Sequence, residues 1–158
     1  MYHDIVPDDI QDGSGFAGSA AAAYKLSPAR FRQQLANVAR MYNHADLLFT
    51  FDDGGIGALR YAAPVLEAHG FVGHFFVVGE LIGRSGFLSQ TDIRDLAGRG
   101  HLIGTHSMTH PKSMANLGLR EATAEWVDGR QRIEDILGSP VSIGAVPYGS
   151  FSRSVALA

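Results

Sequence analysis

The sequence predicts an α/β fold built on a parallel sheet, and three observations carry that reading. Short apolar runs alternate with amphipathic helical segments along most of the 158 residues. The runs are nearly continuous rather than alternating, the pattern of strands buried on both faces. Helix signals between them are specific: Ser27-Pro28 and Ser89 as starts, Gly70 and Gly138 as stops.

Taken in order, residues 1–6 (MYHDIV) read as a short strand. Residues 7–23 hold Pro7, Gly13, Gly15, Gly18 and an Asp cluster, and read as a long loop. A helix opens at Ser27-Pro28, with serine at the N-cap and proline in the first turn. Its apolar face is Phe31, Leu35, Val38 and Ala39. Leu47 to Phe51 is a buried strand ended by Asp-Asp-Gly-Gly. A helix over residues 58–69 follows, then a strand over residues 71–78. Residues 89–98 form a helix with Ser89 as N-cap and Asp92 at N3, and residues 101–105 form the next strand. A longer helix over residues 119–137 turns Ala122, Trp126, Ile133, Ile136 and Leu137 inward. Gly138 and Pro140 stop it. Residues 141–146 read as a further strand, Pro147-Tyr148-Gly149 as a turn, and the final SRSVALA as the start of a helix.

This length suits one domain with a real core and is too short for two. The net charge is −3 with both signs interspersed, so a nucleic-acid partner is not expected. There is no cysteine, which excludes a disulfide framework and thiolate metal sites. No apolar run reaches the roughly 18 residues of a membrane span. The start, MYHDIVPDDI, lacks the basic and apolar regions of a signal peptide. A cytoplasmic location is therefore expected if Met1 is the true start.

Three polar groups fall at the C-terminal ends of predicted strands, the edge where parallel α/β folds carry their sites. The first is Asp52-Asp53. Adjacent carboxylates after a buried strand repel unless a cation sits nearby, although Asp-Gly is also ordinary turn chemistry. The second is His106 and His110, in THSMTHP. Their i, i+4 spacing puts two imidazoles on one face of a helical turn, while Pro111 disfavours helix at His110 and predicts a short or irregular turn. Two unrelated surface histidines are the plainer alternative. The third is Pro147-Tyr148-Gly149. One carboxylate and two imidazoles make a donor set for catalytic Zn²⁺ with a position left for water. Such an ion lowers the pKa of bound water towards ~7, and a second carboxylate beside it is placed to act as general base.

TFDDG at 50–54, HSMTHP at 106–111 and PYG at 147–149 resemble, in order, the first three motifs of polysaccharide deacetylases. These are the NodB-homology enzymes of carbohydrate esterase family 4, and the match runs over nearly the whole chain. The resemblance implies a distorted (β/α) barrel with parallel strands and outer helices. It also implies metal-dependent removal of N-acetyl, or O-acetyl, groups from sugars. By motif position, Asp52 is the general base and Asp53, His106 and His110 are the metal ligands. The backbone N–H of Tyr148 helps hold the oxyanion. The implied cofactor is a divalent metal, Zn²⁺ ahead of Co²⁺, Mn²⁺ or Ni²⁺. The implied partner is an acetylated carbohydrate of the N-acetylglucosamine type, polymer or precursor.

Two departures accompany the resemblance. Many members carry an arginine where this chain has Ala145. The family's fourth and fifth motifs, which include a general-acid histidine, are not reached by Ala158. Residues 1–158 are accordingly expected to be one domain, incomplete at its C-terminus, with weak esterase activity at best. A catalytically impaired metal- or glycan-binding remnant is the alternative of a different class. A metallo-phosphoesterase is a weaker third, since it would want more carboxylates.

Other residues have plainer readings. His3 and Asp4 are expected to be structural or at a substrate rim, His74 inside the barrel, Trp126 in the core, and His44, His69 and His101 solvated. Tyr2, Tyr24 and Phe16 are candidates to line a sugar site, with nothing in the sequence to choose among them.

Overall fold

The computed structural model describes residues 1–42 and 47–158; His44 lies outside the described residues. Three strands form the central parallel sheet in the order β3 (Phe49–Phe51), β4 (Gly73–Val77) and β5 (Leu102–Thr105). Phe51 pairs with Phe75, and Phe75 with Ile103. A second parallel pair, β1 (Asp4–Ile5) with β2 (Lys25–Leu26), lies on the β3 side. There a bridge between Tyr2 and Phe51 continues the wall, with Tyr2 N–H donating to Thr50 O at 2.8 Å and Asp52 N–H to Tyr2 O at 3.0 Å. On the far side Thr105 bridges Gly144. The result is a curved, all-parallel wall with helices outside it, part of a distorted barrel. Among the described residues the wall does not close.

The expected strand over residues 141–146 is reduced to that bridge: Thr105 N–H donates to Ile143 O and Ala145 N–H to Thr105 O. Its outer side has no partner strand among the described residues to extend the ladder. The loop over residues 7–23 contains a 3₁₀ turn, Gln11–Gly13, and one helical turn, α1 (Ser19–Ala22). The short strand β2 carries no apolar alternation and was not legible as a strand.

The outer helices are α2 (Pro28–Met41), α3 (Ala63–Glu67, entered through a π-helical turn at Ala58–Ala62), α4 (Gln90–Gly98), α5 (Leu119–Leu137) and α6 (Arg153–Leu157). Ser89 and Asp92 form the expected capping box, and Gly138 ends α5 in the left-handed conformation (φ 70°). No helix among the described residues is long and apolar enough to cross a membrane.

The core is aromatic at its centre. Tyr2 stacks on Phe51 (5.4 Å between centroids) and Phe51 on Phe75 (4.9 Å), while Phe31 of α2 meets Tyr2 and Phe51 edge-on. Phe31, Phe51 and Phe75 are fully buried, each contributing about 2–3 kcal/mol of transfer free energy. Leu66, Ile93, Leu96 and Ile133 extend the core beneath the helices. Trp126 is half-buried and packs with Met114, Ala122 and Val155 in a separate cluster; its Nε1–H donates to Val155 O at 3.2 Å. His74 is half-buried, and its imidazole pKa is lowered by burial.

His101 is buried, not solvated. Its Nδ1 accepts from Gly73 N–H at 3.0 Å, so its Nε2 carries the proton and donates to Glu67 Oε1 at 3.0 Å. The backbone of β4 needs an acceptor at that point, and an imidazole at the start of β5 supplies one.

Candidate metal centre

Asp53, His106 and His110 converge, with one ligand atom of each lying within 4.8 Å of the others. Asp53 follows β3 and is held in the left-handed region (φ 73°). His106 follows β5, where its N–H donates to Val77 O at 2.9 Å. The two strands flank β4, so residues far apart in sequence meet at one strand edge.

The His106–His110 segment is not helical. Ser107 (φ 66°) and His110 (φ 58°) are both left-handed, and Ser107 Oγ accepts His110 N–H at 3.0 Å. The two rings are 5.0 Å apart all the same. An irregular turn thus does what helical spacing was expected to do, in keeping with Pro111 directly after it.

A short network holds this loop. Glu125 of α5 accepts from the N–H groups of Met108 (3.0 Å) and Thr109 (2.9 Å) and from Thr109 Oγ (2.6 Å). Gly79 and Glu80 donate their N–H groups to the carbonyls of Ser107 and Met108. Glu125 is a glutamate on an amphipathic helix, and no local signal separates it from solvated neighbours. Ala145 is similar: its carbonyl accepts His106 Nδ1–H at 2.9 Å, a role any residue type could fill.

That last bond sets which ring nitrogen of His106 faces the group. With Nδ1 turned to that carbonyl, His106 directs Nε2 at Asp53 Oδ1, 3.5 Å away, and His110 Nε2 stands 3.3 Å from the same oxygen. Imidazole nitrogens and a carboxylate oxygen at this distance are held together by a proton or a cation between them. Burial alone would raise the Asp53 carboxyl, but the hydrogen bonds and charge of His106 and His110 outweigh it and hold the group well below the usual carboxylate range. The side chains of His106 and His110 are only 2% and 8% exposed. The donor set, its burial and the Nδ1–H···O=C bond behind His106 all fit a divalent metal.

Asp52 lies beside this group and is also buried. Burial pushes its carboxyl up, the charges of His106 and His3 work against that, and Asp53 adds to it. His3 is brought alongside Asp52 by the Tyr2–Phe51 register and packs against Tyr24 at 5.0 Å. Tyr148 is in the left-handed conformation (φ 56°) and sets its exposed ring 4.8 Å from that of His110. Phe16 meets His110 from the loop before β2, at 5.1 Å. Of the three sugar-lining candidates, Tyr2 packs on the core, Tyr24 on His3, and Phe16 on His110 of the Asp53–His106–His110 group.

An open parallel barrel wall with helices outside it is the architecture of NodB-type deacetylases. The sequence profile of the Polysaccharide deacetylase family matches residues 39–158, and the chain belongs to that family. YxkH of Bacillus subtilis, provisionally called a polysaccharide deacetylase, is 25% identical over 107 residues, covering 68% of this chain and 38% of its own length. The peptidoglycan-N-acetylglucosamine deacetylase of Bacillus cereus is 26% identical over 111 residues, with the same two coverages. The chain therefore spans well under half the length of these curated relatives. Among solved structures, the Streptococcus pyogenes deacetylase PplD in complex with acetate superposes with a TM-score of 0.79 at 19% identity, over 99% of this chain and 75% of that one. IcaB from Ammonifex degensii superposes with a TM-score of 0.75 at 22% identity, over 91% and 75%. At such identities the superpositions establish the fold.

Proposed function

We propose that this chain carries the metal centre of a deacetylase that hydrolyses N-acetyl groups on N-acetylglucosamine-type polysaccharides or their precursors. The observation that carries the reading is the convergence of Asp53, His106 and His110 beside a second, buried carboxylate, Asp52. The family match and the name of the Bacillus cereus relative support the substrate class.

In this reading Asp53, His106 and His110 hold one divalent ion, with Zn²⁺ first among the candidates for a His₂Asp set. Bound there, a divalent cation supplies Lewis acidity towards an acetyl carbonyl and a water acidified towards neutral pH. Asp52 takes the proton from the attacking water and returns it to the departing amine nitrogen as the carbon–nitrogen bond breaks. Its burial raises its proton affinity, as a general base working near neutrality requires. Ala145 O fixes the His106 ring by holding Nδ1–H, so that only Nε2 faces the site. The Tyr148 backbone N–H stabilises the developing oxyanion.

The test compares acetate release from an activated acetyl ester and from an N-acetylglucosamine oligomer by the metal-loaded protein and by Asp52→Asn and Asp53→Asn. Elemental analysis runs in parallel. Asp52→Asn should keep its metal and lose activity; Asp53→Asn should lose both. Equal metal loss in the two variants would refute the division between base and ligand. Undiminished release by Asp52→Asn would refute the mechanism.

A further inference from the structure

The loop that carries Phe16 is pinned by a single cation. Lys25 Nζ donates to the carbonyls of Gln11 (2.5 Å), Ser14 (2.7 Å) and Phe16 (2.6 Å). All three acceptors belong to one short segment, so the ammonium gathers the loop around itself. Charge-assisted bonds of this kind are roughly twice as strong as neutral ones.

Three further contacts seat the loop against the strand ends. The buried Ser14 Oγ accepts Gly57 N–H at 2.7 Å. Gly15 N–H donates to Gly86 O at 2.7 Å. Gly15 has φ 59°, and any Cβ there would lie 2.8 Å from the buried carboxylate oxygen Asp4 Oδ2. Residue 15 must therefore be glycine, and the next residue is delivered to a defined place. That residue is Phe16, whose ring sits edge-on to Phe87 (5.4 Å) and tilted against metal-centre His110 (5.1 Å). It is half-buried, and Tyr148 offers a second ring to the same histidine.

An aromatic face placed at a metal centre by this much backbone chemistry does more than fill space. We propose that Phe16 is a specificity-determining residue that bears on the pyranose ring of the acetylated sugar, and that Lys25 is a positioning residue acting through it. The proposal rests on the deacetylase reading above.

The experiment measures KM and kcat for acetate release from an N-acetylglucosamine oligomer. It also measures binding of the same oligomer to the metal-loaded Asp52→Asn protein, where turnover does not interfere. Phe16→Leu keeps apolar bulk against Phe87 and removes the aromatic face. It should raise KM and weaken binding about three- to tenfold, the scale of one aromatic contact, with a smaller change in kcat and full metal content. Phe16→Tyr should restore binding. Lys25→Met should weaken binding by a similar factor, and Lys25→Met/Phe16→Leu should be no worse than either alone, since the two act through one contact.

Unchanged KM and binding in Phe16→Leu, with the parent protein active, would overturn the role of Phe16. Additive losses in the double variant would overturn the coupling to Lys25. Neither acetate release nor oligomer binding by the parent protein would instead bring down the deacetylase reading, and this inference with it.

Discussion

Gly129 lies in the middle of α5, where an alanine would ordinarily be welcome. Helix propensity alone predicts that Gly129→Ala stabilises the protein by about 1 kcal/mol. The structure reverses the sign. A Cβ built on Gly129 would lie 2.6 Å from Thr105 Oγ1, 2.7 Å from the Ser107 carbonyl carbon and 2.9 Å from Met108 N. Two of those three atoms are backbone, in the turn that joins His106 to His110, and they cannot rotate away. Overpacking of this kind typically costs 1–3 kcal/mol, and three simultaneous contacts favour the upper part of that range. The net expectation is a loss of about 1–2 kcal/mol. For a chain of this length that lowers Tm by about 5 °C. The same push falls on a loop that Glu125 of α5 anchors through Met108 and Thr109, so metal affinity should drop by about tenfold, as with other supports of metal ligands. Thermal unfolding of the metal-free protein reads the first effect, and a competitive metal titration reads the second. A rise in Tm with unchanged metal affinity would refute the packing argument.

Two further outcomes follow from buried groups. Burial pushes the Asp4 carboxyl up to about 6, from an ordinary 3.8, with Ser14, Lys25 and Ile5 N–H opposing and Asp53 adding to the rise. The folded state thus binds this proton more tightly than the unfolded state. The stability it contributes is full below about pH 4 and is lost as pH rises through 6, about 3 kcal/mol in all. Asp4→Asn should flatten that slope, and denaturant titrations of both proteins between pH 4 and 7 should diverge by this amount; parallel curves would contradict it. His101→Leu removes the acceptor of Gly73 N–H and the partner of Glu67. Leaving that amide buried and unpaired should cost about 1–3 kcal/mol, measured as a lower denaturation midpoint, with metal content unchanged because the pair lies at the opposite strand end from the site.

The elements that order by local chemistry were legible in the sequence. The buried runs around Phe49–Phe51, Gly73–Val77 and Leu102–Thr105 became the parallel sheet, and the Ser89–Asp92 box and Gly138 set helix ends where they stand. These signals are short-range, since a cap, a stop or an apolar run is decided within a few residues. The grouping of Asp53 with His106 and His110 was legible too, because strand C-termini of a parallel sheet share one edge whatever their separation in sequence.

Tertiary structure decided what depends on a neighbour distant in sequence. Lys25 became the pin of the Phe16 loop because three carbonyls curl round it. His101 became buried because Gly73 offers it an N–H, and residues 141–146 dwindled to one bridge for want of a second neighbour. Tyr2, Tyr24 and Phe16, indistinguishable as aromatics in the sequence, were sorted to the core, to His3 and to His110 by tertiary packing. Sequence by itself determined which groups could do chemistry, because composition fixes donor and acceptor types. Only packing determined which of them meet, because hydrogen bonds and ring contacts act over a few ångströms and read distance in space rather than along the chain.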